Sequence, residues 1–148
     1  MTIDAPPLNP RVIALAHYAG RAVLESVLTR LGLTFQQSVT LRLAALADGP
    51  VGREELAGGV TGALKTGAAE AHGVIGELLK AGLLTPEGTA AVRITDAGRE
   101  AYTRASGQTA PYSSRIYAGI PEEDLAVAGR VLTLITRRAE AELAALPG

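Results

Sequence analysis

From residue 11 to residue 31 apolar side chains recur at helical spacing. Val12, Ala16, Ala19, Val23 and Val27 form one stripe, and Ile13, Leu24, Leu28 and Leu31 form an adjacent one that takes in Gly20. An arc this wide packs on two sides, which near the end of a small chain points to a partner subunit. Gly32 stops this helix. Thr34 is placed to cap a second helix through Leu41, Leu43 and Leu46, which ends at "DGP", residues 48–50. Val51 opens a short extended entry, and a third helix starts near Arg53 with "EELA". Its continuation, "GGVTGALKTG", holds Gly58, Gly59, Gly62 and Gly67, and that many glycines predict turns within the interval.

A firmer pattern follows. Ala71, Val74, Ile75, Leu78 and Leu79 share one face of a helix from about Ala68 to Ala81, with Gly82 as its stop. "GLLT", "PEGT" and "AVRIT" then read as two short strands around a Pro/Gly hairpin. Thr95 is placed to cap the next helix and Asp96 sits at its positive end. Glu100 and Arg104 are in the favourable i,i+4 order, and Gly107 and Pro111 predict a kink or break. A last helix starting at Pro121 puts Leu125, Ala128, Val131, Leu132 and Ile135 on one side, with Val127 and Leu134 beside them. The pattern predicts a mainly α fold with a small two-stranded β wing.

Composition narrows the function. Of the 148 residues 47% are apolar but only 3% are aromatic, so Ala, Leu, Val and Ile must fill the core, a mixture that suits packed helices. With no Cys, and with only His17 and His72, neither a thiol switch nor a metal site is expected, and no cofactor is called for. The start, "MTIDAPPLNP", lacks the cationic and apolar regions of a leader, and no apolar run reaches spanning length, so a cytoplasmic protein with no membrane partner is expected. There is no dinucleotide fingerprint, no P-loop and no nucleophile elbow. No enzyme is expected.

An apolar helix, a helix-turn-helix, a hairpin wing, a long helix and a closing apolar helix follow one another in the order of a known family. On "LTFQQSVTLRLAALADGPVGREELA", "ELLKAGLL", "VRITDAGREAY" and "IYAGIPEEDLAVAGRVLTLI", which span most of positions 33 to 135, the chain resembles the MarR-family transcriptional regulators. The resemblance implies a winged helix-turn-helix plus a helical dimerisation region. It divides the chain into an N-terminal arm (1–10), a dimerisation helix (11–32), a winged helix-turn-helix DNA-binding region (33–95), and a long helix with a C-terminal dimerisation helix (96–148). It makes Ala68 to Ala81 the recognition helix, with Ala69, Glu70, His72 and Gly73 at its groove-facing start, and Pro86 to Ala91 the wing tip. Two departures stand out. About four residues more than the family's usual spacing separate "EELA" from the recognition helix, and the wing keeps only Arg93 of the usual acidic-and-arginine pattern.

The chemistry open to such a reading head is limited. From Pro50 to Thr95, the basic Arg53, Lys65, Lys80 and Arg93 face five glutamates, a net of −1 where phosphate neutralisation wants positive charge. Arg53, Lys65 and Arg93 are the phosphate candidates. His72 can donate to a guanine or accept from an exocyclic amine, Glu70 can accept from cytosine, and Ala69 can meet a thymine methyl. The resemblance further implies a small aromatic or phenolic ligand held between dimerisation helices and reading head, where His17, Tyr18, Arg21 and Tyr112 are candidates; the plainer reading makes Tyr18 and Tyr112 interface packing and Arg21 a solvated charge. The expectation is a homodimer on double-stranded DNA, a repressor released by a small organic ligand. The alternative is a dimeric interaction or ligand-binding module of the same fold that has lost tight DNA binding.

Overall fold

The computed structural model describes residues 4–148. Helix α1 (Pro10–Arg30) is opened by Asn9, whose side chain accepts from the Val12 amide. It closes at Leu31 in a left-handed turn: Gly32, at φ 75°, donates to the Thr29 carbonyl and Leu33 to that of Leu28. Only Val27 and Leu28 of the wide arc are buried. Helix α2 (Phe35–Leu46) begins with a reciprocal cap, in which the Thr34 hydroxyl accepts from the Gln37 amide and the Gln37 side chain accepts from the Thr34 amide.

The extended entry at Val51 is itself a strand. Strand β1 (Val51–Gly52) pairs antiparallel with β3 (Ala91–Ile94), which also pairs with β2 (Leu84–Glu87), giving a three-stranded sheet in the order β1-β3-β2 where the sequence predicts two strands. A two-residue strand whose partner lies about forty positions away leaves no periodic signal of its own. Pro86 lies on β2, an edge strand, where its missing amide costs no ladder bond.

Helix α3 (Arg53–Leu64) narrows the expectation of turns in the glycine-rich interval to its last three residues, because it runs unbroken through Gly58, Gly59 and Gly62. Each glycine costs about 1 kcal/mol of helix propensity. Burial of Leu56, Ala57 and Val60 offsets that cost. Gly59 also lets α3 approach α2, since a β-carbon there would sit 3.3 Å from the Leu43 Cδ1. The turn falls at Lys65, in the left-handed region at φ 57°. Helix α4 (Ala68–Lys80) buries Ala71, Val74, Ile75 and Leu78, and ends at Gly82, φ 77°, in the same left-handed motif as α1.

Thr95 caps helix α5 (Asp96–Tyr117) as the sequence predicts: its hydroxyl accepts from the Gly98 amide at 3.0 Å and donates to the Gly82 carbonyl at 2.7 Å. Of the kink or break expected between Gly107 and Pro111, the break is corrected, for α5 continues through Pro111. Proline forfeits one bond to the carbonyl four residues back, here that of Gly107, which has no side chain to hinder its tilting. Glu100 and Arg104 pair at 2.8 Å. Helix α6 (Glu122–Ala145) closes the chain with none of its residues buried. The chain divides into two compact units, the first through Tyr112 and the second from Ser113 to Gly148. One core, centred on Leu28, Leu41, Val60, Ile75, Leu78, Leu84 and Val92, holds the first unit together. No helix among the described residues is long and apolar enough to cross a membrane.

Candidate nucleic-acid interface

The helix-turn-helix is α3, the turn 65–67 and α4. With Ala71, Val74, Ile75 and Leu78 turned into the core, the 100° step of the helix puts Ala69, Gly73 and Gly76 at the centre of the opposite face. Ala68, Ala69, Glu70 and Gly73 are exposed, and His72 is half-buried. His72 flanks the open face on the side of α3, and Glu70 and Glu77 flank it on the other. Apart from the helix's own backbone and the adjoining residues, nothing among the described residues lies within 4 Å of where a β-carbon would stand on Gly73 or Gly76, so the face is shallow as well as open.

The glutamates of the reading head are engaged as partners more than the charge count suggests. Glu54, in the first turn of α3, reaches across to α4 and places an Oε2 3.3 Å from the His72 Nε2. Glu77 accepts from the Gln37 side chain at 3.1 Å, tying the recognition helix to α2. Glu87 takes the Arg93 Nε at 2.9 Å, a diagonal pair on the solvent face of the wing. Arg53 donates its backbone amide to the Ala90 carbonyl, which seats the start of α3 on the wing turn, and its side chain makes no ion pair among the described residues. Lys65 bends back to the Gly62 carbonyl. The structure thus brings Ala69, Glu70, His72 and Gly73 onto one end of α4, places Arg53 and Arg93 at the wing, and sets Lys65 in the turn before α4. The Glu54–His72 pair was not foreseen, since eighteen residues separate the partners and no local pattern joins them.

The first unit also holds a cleft of about 320 Å³ between α1, α2 and α5, walled by Leu24, Leu28, Phe35, Tyr102 and Thr109 with Arg42 among them. Sequence reasoning missed Arg42, whose side chain makes no ion pair among the described residues. None of His17, Tyr18, Arg21 and Tyr112 lines this cleft. Arg21 comes nearest in chemical terms: its guanidinium lies 4.2 Å over the Phe35 ring centroid and its Nε bonds Glu25 at 2.7 Å. Tyr18 is exposed, tilted against His17 with ring centroids 6.0 Å apart, and Tyr112 is half-buried.

No protein-family model matches the chain, and no curated protein matches it. Solved structures do. Ligand-free NadR superposes with a TM-score of 0.73 at 18% identity, over 90% of this chain and 98% of that one. CouR from Rhodococcus jostii RHA1 bound to p-coumaroyl-CoA superposes at 0.71 and 19% identity, over 84% and 88%. The reduced form of MarR from E. coli gives 0.69 at 16% identity, over 89% and 95%. At such identities the likeness is one of architecture: the chain has the winged-helix fold of the MarR-family transcriptional regulators.

Proposed function

We propose that the chain is a dimeric, DNA-binding transcriptional regulator, a repressor that a small organic ligand releases. The observation that carries this reading is the presentation of α4, whose apolar face is fixed in the core while its other face stands open beside the wing. Two such helices in a dimer would enter successive major grooves about 34 Å apart. The exposed apolar side chains of α6, Val127, Val131, Leu132, Leu134 and Ile135 among them, support a second copy of the chain as the partner that covers them.

Affinity comes from few charges. Arg53 and Arg93 at the wing and Lys65 in the turn give about six phosphate contacts per dimer, a salt slope no steeper than about −5. Backbone amides at the start of α4 add contacts that need no side-chain charge. The cleft beside Arg42 suits a small aromatic acid, with the guanidinium for a carboxylate and Phe35 and Tyr102 for a ring. Arg21 would act on that ligand through Phe35, and His17, Tyr18 and Tyr112 would join only if the ligand extends beyond the cleft.

The test is fluorescence anisotropy against the DNA flanking the chain's own gene and against an unrelated duplex, across a salt series. Sequence-preferring binding with a shallow slope is expected. Arg53→Ala and Arg93→Ala should weaken binding to every duplex. The net of −1 across the reading head favours a second reading, a dimeric interaction or ligand-binding module that no longer grips DNA. Absence of sequence preference at every salt concentration would establish that reading over the first.

A further inference from the structure

The Glu54–His72 contact decides which way the imidazole faces chemically. An ionised carboxylate has no proton to give and can only accept, so the nitrogen 3.3 Å from it, Nε2, must carry the hydrogen. A neutral imidazole has one N–H. The other nitrogen, Nδ1, is therefore left with its lone pair. It has no hydrogen-bond partner among the described residues and is not sealed from solvent. The small residues at the centre of the open face, Ala69, Gly73 and Gly76, put no bulk between this ring and anything that approaches α4.

We propose that His72 is a specificity-determining acceptor. Its Nδ1 takes a hydrogen bond from an exocyclic amine in the major groove, the N6 of adenine or the N4 of cytosine, and Glu54 is the positioning residue that fixes the tautomer. The assignment rests on the regulator reading and narrows it. Of the two base contacts open to a histidine at this position, donation to guanine is removed and acceptance from an amine is retained. Glu54 would weaken binding in return, because its exposed carboxylate adds negative charge beside the face that meets a polyanion.

Two measurements test it. The first needs no DNA: the ¹⁵N shifts of the His72 ring at pH 8 are expected to show the Nε2–H tautomer in the wild type and a mixture in Glu54→Ala. The second is selection of binding sites from a randomised duplex pool with wild type, His72→Ala and Glu54→Ala. Wild type is expected to enrich one base pair per half-site roughly five- to tenfold, the worth of one net hydrogen bond, and an A·T pair assigns the donor to adenine N6 while a G·C pair assigns it to cytosine N4 once the ring shifts exclude donation to guanine. His72→Ala should lose that enrichment. Glu54→Ala should reduce it by about twofold, the cost of an even tautomer mixture, while binding unrelated duplexes slightly more tightly, a divergence that general damage to the fold would not produce. An Nδ1–H tautomer in the wild type overturns the assignment, as does selection by His72→Ala of the same base at every position. A pool from which wild type selects nothing overturns the regulator reading and this assignment with it, and the ring shifts show which of the two failed first.

Discussion

Helices α4 and α6 are written in the same amphipathic code and meet opposite conditions. The thirteen residues of α4 bury Ala71, Val74, Ile75 and Leu78, whereas the twenty-four of α6 bury nothing and leave Val131 at 40% exposure and Leu134 at 45%. Periodicity says that a helix has a face to cover. It does not say what covers it. For α4 the cover is within the chain, supplied by α2, α3 and the sheet. For α6, side chains that would each contribute on the order of 1 kcal/mol or more on full burial remain in water. The first unit should therefore hold its fold at any concentration, and the order of α6 should depend on a partner.

The sharpest probe of this contrast sets two glycines against each other. A β-carbon on Gly98, near the start of α5, would stand 2.1 Å from the Leu83 carbonyl oxygen and 2.8 Å from the Ile94 Cγ1. Backbone cannot step aside cheaply, and withdrawing α5 would also strain the bond from the Thr95 amide to that same carbonyl. Gly98→Ala is expected to cost on the order of 3–5 kcal/mol in urea unfolding. Gly129, on α6, has nothing within 4 Å of its missing β-carbon, so Gly129→Ala is expected to be neutral or to gain up to about 1 kcal/mol of helix propensity. Similar losses at both sites would erase the contrast.

Association provides the next test. Val131→Glu places a charge on the exposed apolar face of α6. If a second copy covers that face, the change should weaken self-association at least about 30-fold, roughly 2 kcal/mol, in analytical ultracentrifugation, while the unfolding midpoint of the first unit stays put. An unchanged dimer would remove α6 from the interface.

Much of this architecture is legible in the sequence because its punctuation is local. Thr34, Gly32 and Gly82 each act within four residues or so of themselves, as Thr95 does in capping α5, and each stands where the pattern places it. The same four-residue reasoning could have found the Thr34–Gln37 cap in full. What escaped was set by residues far apart. The glycines of α3 are held helical by burial against α2, β1 exists only because Val92 lies opposite Val51, and Gly98 is required by the approach of Leu83. The candidate site divides in the same way. Ala69, Glu70, His72 and Gly73 follow from the position of one helix, but the Glu54 that orients His72 and the Arg42 of the cleft become visible only when α3 meets α4 and α2 meets α5.

A smaller effect is expected at Thr95, which serves the first unit twice by closing the turn at Gly82 and capping α5. Thr95→Val keeps the shape and removes both bonds, leaving the Gly98 amide without its acceptor. A loss of about 1–2 kcal/mol is expected, confined to the first unit, with association through α6 unchanged. A fall in both would mean that the two regions are less independent than their burial suggests.

The smallest change tests the junction between them. Pro111 is exposed and lies inside α5, two residues before the second unit begins at Ser113, so its ring contributes little packing and its main effect is the donor it lacks. Pro111→Ala restores an amide to the Gly107 carbonyl and is expected to raise stability by up to about 1 kcal/mol, less than the full proline penalty because the flexible Gly107 already absorbs part of it. Amide exchange should slow around residues 107 to 115. Should DNA affinity stay the same while exchange slows, the proline is merely a tolerated residue in a continuous helix. A change in affinity without a change in dimerisation would instead show that compliance at this point of α5 is used, and that the reading head and the closing helix communicate through the backbone that joins them.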